Sequence, residues 1–113
     1  MDDVVTLKTR FRETVIAWSL ARSDASIANP LFDQQQQLVK RLRSTEAGQE
    51  ALEQLLDDDD VVVQAVAATA SLAWASQKGL HVLSTIATRN DLIGFEAELT
   101  LKSFRSGKLN LDW

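Results

Sequence analysis

A chain of 113 residues, 45% hydrophobic and 25% charged, has the length of one compact domain and the apolar content for its own core. It contains no cysteine, which excludes a disulfide scaffold, a thiolate zinc site, an iron–sulfur cluster and a cysteine nucleophile. Four glycines and one proline are too few for turn-rich β architecture, and 16 acidic residues against 12 basic ones make duplex nucleic acid a poor partner.

In chain order, the first predicted helix covers about residues 3–22. Val4, Leu7, Phe11, Val15 and Trp18 recur there at helical spacing, and Asp2 and Asp3 suit the positive end of its dipole. Asn29-Pro30 reads as an N-cap followed by proline at the first helical position, which predicts a second helix over 30–43 with Leu31, Leu38 and Leu42 on one seam. Ser44 or Thr45 can cap a short third helix ending at Leu56, with Ala51, Leu52, Leu55 and Leu56 in the core. Asp60 closes a run of four aspartates and is placed to cap a fourth helix over 61–77, apolar on nearly every side and so expected at the centre of the domain. A fifth helix over 80–88 and a sixth over 93–105, stopped by Gly107, complete a domain of residues 1–107. Residues 108–113 form a tail in which Leu109, Leu111 and Trp113 alternate with polar residues, and folding back onto an apolar groove is favoured over a partner-binding hook. The acidic start lacks a signal-peptide pattern, and the apolar stretch from Val61 to Ala75 is too short to cross a membrane. A cytoplasmic protein without a membrane partner is therefore expected.

The third and fourth helices echo the fifth and sixth. Leu55 maps onto Ile86, Val63 onto Phe95 and Ala67 onto Ala97, so a helix pair repeats. The fold class expected is all-α, about six helices in antiparallel pairs forming a short stack of HEAT-like or armadillo-like type. The run ALEQLLDDDDVVVQAVAATASL resembles a HEAT repeat, with Gln64 standing where such repeats usually carry arginine. NPLFDQQQQLVKRLRS, LLDDDDVVVQAVAATA and GFEAELTLKSFRSG together resemble a bacterial domain-of-unknown-function family of short HEAT-like proteins. That resemblance implies a fold and carries no reaction or catalytic residues.

Candidate sites are few. The run Asp57–Asp60 lacks the glycine and glutamate of an EF-hand loop, and consecutive aspartates point in different directions, so helix capping is the favoured reading. His81 is the only histidine, with no metal or nucleophile motif around it. Glu96 and Glu98 lie on opposite sides of a helix and cannot act as a carboxylate pair. Of the four glutamines at 34–37, Gln35 falls on the apolar seam, where its amide forms either a polar floor in a recognition groove or a bond to a neighbouring helix end. Trp18 and Trp74 are expected in the core.

These readings favour a non-enzymatic protein-binding module without cofactor, and in a sharper form an immunity or antitoxin-like protein. In helix-pair stacks the second helix of each pair lines the concave side. On that basis Gln34, Gln37, Lys40, Arg41, Glu98, Lys102 and Arg105 form the candidate partner face. The alternatives are a small-ligand or enzymatic domain built on His81, which needs a pocket around it, and a homodimer burying Trp113 or the second helix.

Overall fold

The computed structural model describes residues 3–111 and 113. The placements expected for Asp2 and for Asp112 in the tail lie outside the described residues. The described chain is all helical. Six α-helices follow in the order α1 Val4–Leu20, α2 Ala25–Arg43, α3 Glu46–Gln54, α4 Val61–Ser71, α5 Gln77–Ile86 and α6 Leu92–Arg105. Single 3-10 turns, Leu55–Asp57 and Leu72–Trp74, extend α3 and α4. Short connections make sequence neighbours into antiparallel packing neighbours. Helix α4 touches all five others, so its near-continuous apolar sequence reflects a central position.

Every helix begins on a side chain that accepts its free N–H groups, which is why the boundaries fall where they do. Asp3 accepts from Thr6 N at 2.8 Å, and Asp60 accepts from Val62 N and Val63 N at 2.8 and 3.2 Å. The cap expected at Asn29 is not there. Asp24 begins α2 instead, accepting from Ser26 N at 3.1 Å and from Ser26 Oγ at 2.7 Å. Pro30 therefore lies in the second turn, removing one backbone bond without ending the helix. The acidic cap, paired with the Ser26 hydroxyl, starts the helix earlier than proline alone suggests.

The fourth helix is also shorter than its apolar pattern implies. Ala75 adopts a left-handed conformation, φ 54°, and Ser76 then caps α5 three residues before the expected start. The caps carry the repeat: Thr45, Ser76 and Asp91 each accept from the backbone N–H of a glycine three residues on, Gly48, Gly79 and Gly94, at 2.9–3.0 Å. Leu55 and Ile86 are both buried, as are Ala67 and Ala97, in keeping with their expected equivalence. Val63 and Phe95 are not equivalent, since Val63 is fully buried and Phe95 is 57% exposed. Gly94 holds the buried position.

The core runs through all six helices. Phe11 and Val15 of α1 share one buried cluster with Leu42, Leu52, Leu56, Val63, Leu72 and Leu83, and the tail residues Leu109, Leu111 and Trp113 pack against it. The acidic turn ties the flanks to this centre. Arg12 Nε donates to Asp58 Oδ1 at 2.8 Å, Lys78 Nζ to Asp57 Oδ2 at 2.6 Å, and Gln64 Nε2 to the Asp58 carbonyl at 2.7 Å. Among the described residues no helix is long and apolar enough to cross a membrane.

Candidate functional site

Between α2, α4 and α6 lies a groove of about 330 Å3. One wall carries Trp18 and Arg22 beside Phe32, Gln35, Gln36, Val39 and Arg43 of α2, and the other carries Ile93, Glu96, Ala97 and Thr100 of α6. The floor is α4, through Val62, Ala65, Val66, Thr69 and Ala70, with Ala73 beyond its end. Helix α4 uses its two faces differently. Ala67 and Ala68 bring neighbours close on the core side, whereas Ala65, Ala70 and Ala73 leave a trough on the other. The expectation that this helix is buried all round is corrected accordingly.

Two polar clasps span the groove. Arg22 donates to both carboxylate oxygens of Glu96 at 2.7 Å, the two-pronged geometry in which a guanidinium binds a carboxylate best. The same guanidinium stands 4.6 Å from the ring centre of Trp18, which itself meets Phe32 at 6.2 Å. At the other end Arg43 holds the tail. It donates to the carbonyl of Leu111 at 3.3 Å and to the Trp113 oxygen, and its guanidinium lies 4.2 Å above the Trp113 ring. The tail therefore folds back, with Leu109, Leu111 and Trp113 against the apolar groove.

Gln35 is the outlier within this apolar lining. It is 2% exposed, and its Oε1 is closed off from water with no hydrogen-bond partner among the described residues. An unpaired buried acceptor is unfavourable by about 1–3 kcal/mol. Gln35→Met, which keeps the length and removes the acceptor, is expected to raise the stability of the free protein by about 1 kcal/mol or more in urea titration. A loss of stability would show that the Gln35 amide is satisfied in solution.

The surface residues expected on a concave side are not brought together in the groove. Gln34 and Gln37 face a separate cleft with Arg10, Glu13 and Thr14, and Lys40 and Arg41 are exposed outside the groove. Glu98, Lys102 and Arg105 are likewise exposed and absent from the groove lining, because α6 turns Ile93, Glu96, Ala97 and Thr100 inward. Trp18, expected in the core, is a groove wall; Trp74 packs on the core as expected. His81 is exposed on α5 and lines neither the groove nor the two clefts beside α1. Helix α6 also leaves Leu92, Phe95 and Leu99 exposed along one stripe.

A broader cleft of about 710 Å3 lies between α1 and the α3–α4 turn; within it Lys8 donates to Gln54 at 2.8 Å, and Arg12 pairs with Asp58. Among the described residues no group of three or more His, Asp or Glu side chains is placed to hold a metal ion. The aspartates there act in stability. Burial opposes ionisation of Asp58, but hydrogen bonds from Arg12 and the Asp60 N–H outweigh it and hold the carboxyl below its ordinary value of 3.8. Asp91 is lowered by Arg89 and the Gly94 N–H, and Asp3 by the Thr6 N–H. Folded-state values below the unfolded ones mean stability that is present above pH 3.8 and lost as pH falls through the lowered values. The urea midpoint is therefore expected to fall below that pH, and less steeply in Asp58→Asn; identical acid profiles for the two proteins would contradict this.

No protein-family model, curated protein or solved structure matches the chain.

Proposed function

We propose that the chain is a non-enzymatic, HEAT-like protein-binding module that receives an extended apolar segment of a partner protein in the groove between α2, α4 and α6. The observation that carries this reading is the seating of the tail. The groove already holds a segment of the chain through alternate apolar residues, Leu109, Leu111 and Trp113, with Arg43 bonded to the Leu111 and Trp113 oxygens. Alternating side-chain contacts with backbone oxygens held by a fixed donor are the physical basis of extended-peptide recognition. The 31-residue step from Thr45 to Ser76, and again from Asp60 to Asp91, supports the HEAT-like part of the reading. Small size and a net charge of −4 support a narrower form, an immunity or antitoxin-like protein of the bacterial cytoplasm that neutralises a toxin, with no nucleic-acid or membrane partner.

Site-specific photo-crosslinking in the source cell tests the face. A photoreactive side chain replaces Ala73, which is exposed and lines the groove, or Glu98, which is exposed outside it. Adducts to another protein are expected from position 73 and not from position 98. Adducts from position 98 alone would return the partner face to the outer side of α6.

A further inference from the structure

Gln35 is among the residues lining the groove, and its Oε1 is buried beneath that lining without a hydrogen-bond partner among the described residues. Its Oε1 is shut off from water, so a donor reaches it only on a group that itself enters the apolar groove and parts the side chains above. A flat ring with a polar edge fits the aromatic wall of Trp18 and Phe32 and carries its donor inward. Charge does not select the occupant. Arg22 and Glu96 bind each other, so neither offers an unpaired charge to the occupant. A site with a buried hydrogen-bonding group rejects an isostere that lacks the matching partner far more strongly than it rejects a small change in size.

We infer that Gln35 is the specificity-determining residue of the groove and recognises an aromatic side chain of the partner segment that bears a ring N–H or O–H, of tryptophan or tyrosine type, by accepting its hydrogen bond at Oε1. This rests on the groove being a segment-binding site. The volume of about 330 Å3 lies at the lower end of the range for small-molecule pockets.

The test uses the full chain and three probes: the peptide acetyl-Leu-Asn-Trp-Asn-Leu-amide, the same peptide with 3-benzothienylalanine at its centre, and free indole. The benzothiophene ring keeps the shape of indole and has no N–H. Calorimetric titration is expected to show the tryptophan peptide binding about tenfold more tightly than its isostere, the worth of one good hydrogen bond. It should also bind more tightly than indole, and Gln35→Met should remove the preference for the N–H ring. Equal affinity for the two peptides would overturn the inference while leaving the groove as a binding site. Indole binding as tightly as the tryptophan peptide would overturn it in favour of a small-molecule site. No saturable binding of any probe would overturn both the inference and the segment-binding reading. The comparison of rings needs no protein variant, so it decides the matter even if Gln35→Met fails to fold.

Discussion

Gly48→Ala is expected to destabilise the domain by on the order of 4 kcal/mol or more, an effect of the size reserved for core disruption. An added Cβ would stand 1.8 Å from the carbonyl oxygen of Leu42 and 2.6 and 2.8 Å from its carbonyl carbon and Cα. All three atoms belong to backbone, so no side-chain rotation relieves the clash. The start of α3 must move away from the end of α2, and two contacts go with it: the cap from Thr45 Oγ1 to Gly48 N at 3.0 Å, and the bond from Gln49 Nε2 to the Arg43 carbonyl at 2.9 Å. Arg43 is also the clasp that holds the tail, so the groove's end opens with the same change. Gly107→Ala serves as the contrast. That glycine has φ +73° and no neighbouring atom within 4 Å, so only the left-handed strain of about 1–2 kcal/mol remains. Urea titration of the two variants checks the order; a Gly48→Ala protein as stable as Gly107→Ala would mean that α2 and α3 do not cross as closely as described.

Phe11→Ala is expected to remove about 3–5 kcal/mol through lost burial and the cavity left behind. Phe11 is fully buried where α1 meets the centre of the core, and its neighbours belong to several helices, so no single side chain can refill the space. For a domain of this size the loss lowers the thermal midpoint by about 15 °C or more, a large share of a total stability of about 5–15 kcal/mol. The change also reaches the groove, because α1 brings Trp18 to the wall two turns further on. A fall of less than about 5 °C in calorimetry would show that α1 is not an integral part of the core.

The helices were legible where capping chemistry and periodicity agreed. Asp60 reads as a cap from its place before an apolar run, and it is one. Asn29 reads equally well and is not, because Asp24 and Ser26 offer an earlier start and an N–H missing in the second turn is tolerable. The repeat was legible at Leu55 and Ile86, but pairing Val63 with Phe95 assumed that large apolar residues share a role. In fact a glycine keeps α6 close to the carbonyl of Arg89, and Phe95 faces out. The residues expected as the partner face lie outside the groove for a related reason. Exposed polar residues such as Gln34, Lys40 and Glu98 look like a binding surface in a sequence, whereas this groove is lined by residues that look like core. The legible signal was Gln35, a polar residue on an apolar seam, together with a fourth helix too apolar to have an obvious outer face.

The most direct test of the groove as a recognition site is a map of amide chemical shifts while the tryptophan peptide is titrated into labelled protein. Saturating changes are expected to cluster on Gln35, Val66, Thr69, Ala73, Ile93 and Thr100, which line the groove, and to be lost in Ala73→Arg, which fills it. Changes gathered instead on Gln34, Gln37, Glu98 and Lys102, or none that saturate, would contradict the account.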